Sequence, residues 1–519
     1  VPEEAKLTSS VLSPMFSTNL GLDIFFEGNE KDSYQSQLLG LSAVKQISKQ
    51  LTLKWMLSRF ENKEQEAYDI AGAYLFGERS FDKSQPDFGA IINPLGAGVF
   101  LNHARNRLTI ANWSMAHKGE WNHNKHVIQW GVNAEKTRIS DRLSEWEAQD
   151  SAGYNLPYQP GIFQLHTVRK STANLDINKF SGYVQDNISF GAASRFTLQG
   201  GLRFNYNGLN KEFLVSPRGQ MSWMPDADKD WVLKLAAGAY HQPPFYRELR
   251  RYDGTLNTAL KAQRSWQVVA GADHNFKLWN RPSRVTLDAY YKQMWHVVPY
   301  DIDNVRIRYF GENNARAYAT GVELRLFSEL VKDAESWVSI GLMRTMEKID
   351  DFYYYRYKNA AGEFITQQTE DQIIADSVRF DKGWMRRPSD RLITFGMFFQ
   401  DYLSTNKNFK VHVNMIYGSN MPYNIPGSVR YRNGLIIDPY IRVDIGFSAL
   451  LLSEDRSTRR SYSPFRKFND IWASLEVFNL LDRDNTISYL LIRDFSNSVY
   501  AIPNRLTPRL FNFKLRAGF

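Results

Sequence analysis

The chain has 519 residues, no cysteine, and 14% aromatic residues, among them 13 Trp, 27 Tyr and 33 Phe. Its mean hydropathy is -0.44, and no apolar run approaches the roughly 18 residues of a membrane helix, which excludes a helical membrane protein; the missing cysteines exclude disulfides and thiolate metal sites. The formal charge is +9, but Lys and Arg are interspersed with acids rather than gathered in a basic stripe, so the footprint of a nucleic-acid binder is missing.

Residues 1–33 read as an irregular N-terminal segment in which only 20–26 looks strand-like. A first alternating strand is predicted near 33–47. Further on, Ile128, Trp130, Val132 and Ala134 alternate with Gln129, Gly131, Asn133 and Glu135. Phe196, Leu198, Gly200, Leu202 and Phe204 repeat the pattern, as do Trp231, Leu233, Leu235, Ala237 and Ala239. Ile441, Val443, Ile445, Phe447, Ala449 and Leu451 alternate with Arg442, Asp444, Gly446 and Ser448. In the last ten residues Phe511, Phe513, Leu515, Ala517 and Phe519 oppose Asn512, Lys514, Arg516 and Gly518. Successive side chains of a strand point to opposite faces, so each segment has one apolar and one wet face. A soluble sandwich shows the same period, but its loops are short and evenly spaced.

Here short connections (191–194, 225–229, 277–283, 401–407) alternate with long ones (63–105, 140–177, 243–261, 300–314, 351–387, 419–437, 482–505). Only 453–467 is long where a short turn is due. Short turns on one side and long loops on the other are the asymmetry of an outer-membrane barrel. Aromatic richness with low mean hydropathy fits, because half the positions of such a strand face water. The expectation is an all-β fold, a transmembrane antiparallel β-barrel over 34–519 with about 17 strands or more. With a periplasmic C-terminus, the long loops listed above lie outside the cell. Strands in lipid cannot leave an edge unpaired. The last strand is therefore expected to face an open seam against 34–46, or to find further strands within 1–32.

Several stretches in order resemble the barrel of a TonB-dependent outer-membrane receptor of the type found in Bacteroidota. They are FSGYVQD at 180–186, GGLRFNY at 200–206, VSPRG at 215–219 and GAYHQPPF at 238–245. ARAYATGVEL at 315–324, EVFNLLD at 476–482 and the terminal aromatic strand follow. The resemblance implies a 22-stranded barrel, bacterial outer-membrane location, lipid contact, and a TonB-type energy transducer acting through a plug domain. No plug or TonB-box segment is found in this sequence, so the chain looks like the C-terminal part of such a receptor, lacking plug and first strands. It also implies that Phe519 is read as a barrel-assembly signal. The implied function is TonB-dependent uptake of a scarce nutrient: ferric siderophore, haem, oligosaccharide or peptide. The alternative is a receptor-like barrel subunit of an outer-membrane assembly or secretion complex, with surface lipoproteins or other envelope subunits as partners.

Two loop motifs are candidates for binding. Tyr353, Tyr354, Tyr355 and Arg356, in DDFYYYRY at 350–357, offer rigid aromatic area and hydrogen bonds; the simpler account is an aromatic rim. Tyr246, Arg247 and Arg250, with Arg251, lie in FYRELRRY at 245–252 and could hold an anionic group; the simpler account is loop packing. His117, His123 and His126 sit around a predicted periplasmic turn, where spacing alone cannot separate metal ligation from a solvated turn. A barrel hydrolase would need a nucleophile–base set, and no Gly-x-Ser-x-Gly, His-Glu-x-x-His or Gly-rich phosphate loop is present. No enzyme, cofactor or metal is expected.

Overall fold

A computed structural model describes the chain except residues 1–2, 13–16, 152–153, 158, 161, 192–193, 226–229, 304, 332–333, 367–368, 404–406, 426, 454–467, 494–498, 507 and 519. Its main sheet joins twenty strands, two of them short segments at Tyr154–Leu156 and Met385–Arg386. The other eighteen form the wall. They begin with β1 (Glu3–Leu12), β2 (Ser17–Gln46), β3 (Leu51–Arg79), β4 (Ile91–His123), β5 (His126–Ser151) and β6 (Thr167–Phe190). Next come β7 (Phe196–Asn207), β8 (Glu212–Trp223), β9 (Trp231–Gln242), β10 (Gln263–Leu278), β11 (Arg281–Val297) and β12 (Ala315–Val331). The last are β13 (Ala334–Ile349), β14 (Ile393–Tyr402), β15 (Phe409–Gly418), β16 (Tyr440–Ser453), β17 (Asp470–Phe478) and β18 (Leu510–Gly518).

Each strand pairs antiparallel with the next, from β1 through β18. The register carries the alternation across strands. Leu235, Ala270, Ala289, Val322, Leu342 and Ile393 stand opposite one another in an apolar row across β9 to β14. One residue along, Lys234, Gly271, Asp288, Glu323, Gly341 and Thr394 form the row of the other face. The apolar row lies exposed at Leu235, Val322, Leu342 and Ile393, as a lipid-facing surface must in the absence of lipid. The expected lipid-facing residues Leu233, Phe447, Phe511, Phe513 and Leu515 are exposed, Phe513 by 70%. Ile128, Trp130, Val443 and Ile445 are half-exposed. At the short-turn rim Phe190, Phe196 and Trp223 stack in a row, with ring centroids 5.5 and 5.9 Å apart. Such a row is the aromatic girdle of a membrane boundary. The two-residue turn Trp279–Asn280 between β10 and β11 has both residues at positive φ, +50° and +61°, the two-residue hairpin geometry.

Two expectations are corrected. Residues 1–33 are not irregular: 3–12 and 17–33 lie in β1 and β2, and 20–26 pairs with both β1 and β3. The supposed loops 63–105 and 140–177 are largely strand: β3 runs to Arg79 and β4 opens at Ile91, β5 runs to Ser151 and β6 opens at Thr167. The physical reason is common to both. Lipid needs only about 9–11 residues per strand, whereas β3 has 29 residues, roughly 95 Å at about 3.3 Å per residue. Outside lipid both faces meet water, so Glu61, Asn62, Lys63, Glu64, Gln65 and Glu66 continue the ladder without apolar alternation. Among the described residues, 27–46 of β2 and all of β18 are bonded on one side only, with no pairing of 506–519 to 34–46. Phe519 and 454–467 lie outside the described residues.

Leu235→Arg, on the apolar row, is expected to cost about 2–4 kcal/mol near the bilayer midplane, whereas Gln199→Lys on the opposite face changes little. Heat-modifiable mobility after refolding into lipid vesicles measures both; equal losses would refute the facing.

Candidate functional site

Past the apolar band the inner face of β5 continues with Ile139, Asp141, Leu143 and Glu145, all buried, while Arg138, Ser140 and Arg142 between them are exposed. Two loops cover this wall. The 243–262 loop turns through a short 3-10 segment, Tyr246–Leu249. Its Leu249 and Leu260, each 1% exposed, pack with Tyr246, Ile139, Ile177 and Val298. Burying a Leu side chain contributes about 1.5–3 kcal/mol, so these anchors fold the loop back onto the wall rather than into solvent. The 298–314 loop forms a hairpin, Tyr300–Asp303 with Arg306–Tyr309.

Between loops and wall lies a cavity of about 500 Å³. Asp141 accepts hydrogen bonds from the Tyr246 hydroxyl and from Arg250 Nη2. Arg247 Nη2 donates to Glu64 Oε2 at 3.1 Å. Arg306 donates to Glu66 Oε1 at 2.5 Å and to the Tyr68 hydroxyl at 3.3 Å. Glu145 faces Arg169, Arg306 and Arg308 at 3.8, 3.6 and 3.6 Å. Arg251, also on the cavity lining, donates to Glu312 Oε1 at 2.8 Å. The donors are guanidinium and phenol groups, which hold anionic or hydrogen-bond-accepting ligands.

A second network braces the loops from behind. Arg432, 1% exposed, pairs with Asp301 and with Glu347, the latter at 3.0 Å, and donates to the Tyr300 carbonyl. Tyr252 donates its hydroxyl to the same Asp301. Arg432 thereby joins the 419–439 loop to the 298–314 loop and to β13. Burial pushes the Tyr246 and Tyr252 hydroxyls upward from the ordinary phenol range, most strongly Tyr252 beside Asp301. Burial also pushes Glu248 up to about 7, against hydrogen bonds from the Phe245 N–H and Gln263 Nε2.

Of the expected site residues, Tyr246, Arg247 and Arg250 come together at this cavity. Tyr353, Tyr354, Tyr355 and Arg356 do not line it. They form a separate hairpin, Tyr353–Lys358 with Asp376–Asp381, in which Arg379 lies 3.8 Å from the Tyr353 ring and Arg356 lies 3.9 Å from the Phe364 ring. Their cations are already engaged within the loop. Asp141, Glu145, Arg169, Arg306 and Arg308 were missed. The continued alternation of Asp141, Leu143 and Glu145 was the available signal. His117 and His123 lie against Trp55 and Trp121, and His126 pairs with Asp186. Among the described residues they do not converge; the clustered acids Glu30, Asp32 and Glu66 involve none of them.

The family model for the TonB dependent receptor-like β-barrel matches residues 10–456. No curated protein sequence matches the chain. Among solved structures, the ferric-catecholate import receptor Fiu of Escherichia coli K12 is similar at 11% identity and TM-score 0.52, covering 99% of this chain and 79% of its own. The ferric yersiniabactin uptake receptor FyuA of Yersinia pestis is similar at 12% identity and TM-score 0.52, with 99% and 74% covered. The outer-membrane transporter YddB of Escherichia coli gives 10% identity, TM-score 0.50, and 99% and 75%. At these identities the likeness is one of fold.

A raised Glu248 pKa favours the folded loop while the carboxyl is protonated. That contribution is complete below the unfolded value of 4.5 and is lost as pH rises through about 7. Amide-exchange protection of 243–262 is therefore expected to fall across that window. Glu248→Gln should flatten the dependence; an unchanged pH profile in the variant would assign it elsewhere.

Proposed function

The chain belongs to the TonB-dependent receptor-like β-barrel family, and from that premise we propose that it takes up a scarce nutrient across the outer membrane. The barrel lies in outer-membrane lipid with its C-terminus in the periplasm and its long loops outside. A TonB-type energy transducer supplies the driving force through a plug. The observation that carries this reading is the cavity behind the in-folded 243–262 and 298–314 loops. It stands where the wall leaves the apolar band, at the mouth of a lumen lined by polar rows. A ligand captured there would be shielded by the loops and released inward.

Ferric siderophore, haem, oligosaccharide and peptide are the candidate cargoes. The solved relatives named for ferric-catecholate import and ferric yersiniabactin uptake support a metal chelate. Tyr246, Arg247 and Arg250 are the cavity residues proposed to contact it. Tyr353, Tyr354, Tyr355 and Arg356 favour a second reading, in which the barrel serves an envelope complex. Their hairpin stands apart from the cavity, and its loop exposes Tyr355, Tyr357, Ile373 and Ile374. Such a surface suits a lipoprotein or another envelope subunit.

A deletion strain separates the two. Uptake of labelled nutrients that is lost in the strain, restored by the chain in its native gene context, and abolished by a proton uncoupler is the expected outcome. Recovery of a stoichiometric envelope partner with unchanged uptake would favour the second reading. Phe519→Ala is expected to lower the amount of folded, heat-modifiable barrel in cells; unchanged assembly would remove Phe519 as an insertion signal.

A further inference from the structure

We propose that the cavity behind the 243–262 and 298–314 loops is an oxyanion site for a small ligand bearing two or more carboxylate or phosphate groups, a substrate class that rests on the uptake function proposed above. The first ground is charge. Glu145 is shared by the guanidiniums of Arg169, Arg306 and Arg308, at 3.8, 3.6 and 3.6 Å. Glu66 offsets Arg306 at 2.5 Å. Asp303 stands 3.4 Å from Arg308 Nε, which nonetheless makes no hydrogen bond. Among the described residues, Glu145 is the one ion-pair partner of Arg169. The cavity lining as a whole carries seven arginines, at 107, 169, 247, 250, 251, 306 and 308, against four acids, Glu64, Glu66, Asp141 and Glu145, and the balance stays positive when Asp303 and Glu312 beside it are counted.

The second ground is unused donors. Arg250 gives Nη2 to Asp141, which it shares with Tyr246, while its buried Nη1 has no partner. A buried guanidinium N–H left unpaired is unfavourable, and a ligand oxygen bonded to it would recover the loss. Burial and the neighbouring Arg308 charge push the Arg250 guanidinium down from its ordinary range. The third ground is placement. The three cations come from three different elements: Arg169 from β6, Arg250 from the 243–262 loop, Arg308 from the hairpin at 300–309. A ligand with a single oxyanion would fill little of about 500 Å³. A ligand with several could pair with guanidinium forks on the wall and on both loops at once. A neutral sugar would bury these cations without neutralising them.

The purified protein in neutral detergent, titrated calorimetrically with citrate, pyrophosphate and maltotriose, tests the site. Citrate or pyrophosphate is expected to bind, the tighter of the two distinguishing carboxylate from phosphate chemistry, and maltotriose is not. Affinity should fall about tenfold or more in the Arg169→Gln, Arg308→Gln double variant, and likewise on raising NaCl from about 50 to about 300 mM. Glu145→Gln removes the competing carboxylate, so oxyanion affinity should rise about three- to tenfold, a gain that a merely structural role would not produce. Heat-modifiable mobility verifies folding of each variant. Maltotriose binding as tightly as the oxyanions, no oxyanion binding by the folded protein, or weaker binding in folded Glu145→Gln would overturn the proposal. If oxyanions fail to bind while uptake in cells stays dependent on the barrel and on energy, the oxyanion class alone falls. If they bind but uptake never depends on the barrel, the site stands and the transport function falls.

Discussion

A strand in lipid has no water to satisfy its N–H and C=O groups, so every backbone group must find a neighbouring strand. That constraint accounts for the plainest fact of this structure, the unbroken antiparallel meander from β1 to β18. Nearest-neighbour hairpins meet it with the least chain. Once the ladder is set, the period of two decides everything about facing. A slip of one residue would exchange the row of Leu235 and Val322 with that of Lys234 and Glu323. The same ladder then carries the facing upward beyond lipid. Asp141 and Glu145 point inward at the mouth because Val132 and Ala134, lower on the same strand, face outward.

The loops are held by a different balance. Leu249 and Leu260 supply apolar burial, but much of the rest is charged. Arg432, Asp301 and Glu347 are nearly inaccessible to solvent, and Asp390, also buried, is paired with Arg344 and Arg386. Taking such ions out of water is expensive, and their mutual attraction offsets the cost only when all partners are present. These networks therefore define one loop arrangement rather than adding much stability. Arg432 binds a residue of the 298–314 loop and a residue of β13 at once, so the 419–439 loop and the cavity-forming hairpin are ordered together.

The two Arg- and Tyr-rich loop motifs differ in what their cations have left to offer. In the 353–358 hairpin, Arg356 and Arg379, the latter opposite Tyr355 on the partner strand, lie over aromatic rings of the same loop, and Arg379 also pairs with Asp381 at 2.8 Å. Its chemistry is largely used within itself. At 246–252 the arginines face a wall with the acids Glu64, Glu66, Asp141 and Glu145 and the arginines Arg107 and Arg169, and the neighbouring hairpin adds Arg306 and Arg308. Similar composition thus yields a braced surface in one loop and a cavity lining in the other.

The sequence by itself determined the all-β barrel and the outward apolar band. It could do so because lipid imposes a period-two apolar signal on each strand, and turns interrupt that signal at regular places. The signal ends where lipid ends. Beyond lipid the outward faces of β2 to β6 meet water and their inward faces mix acids with apolar residues under the loops, so these strands read as loops although the ladder continues. Tyr246, Arg247 and Arg250 were legible because they are clustered in one short motif. Their companions were not: Glu145, Arg169 and Arg308 are separated by many residues and belong to β5, β6 and a loop hairpin. Only the tertiary structure brings them together, because convergence depends on how two loops fold onto a wall, and that is set by buried contacts such as Leu249 with Ile139 and Ile177 that carry no local periodicity.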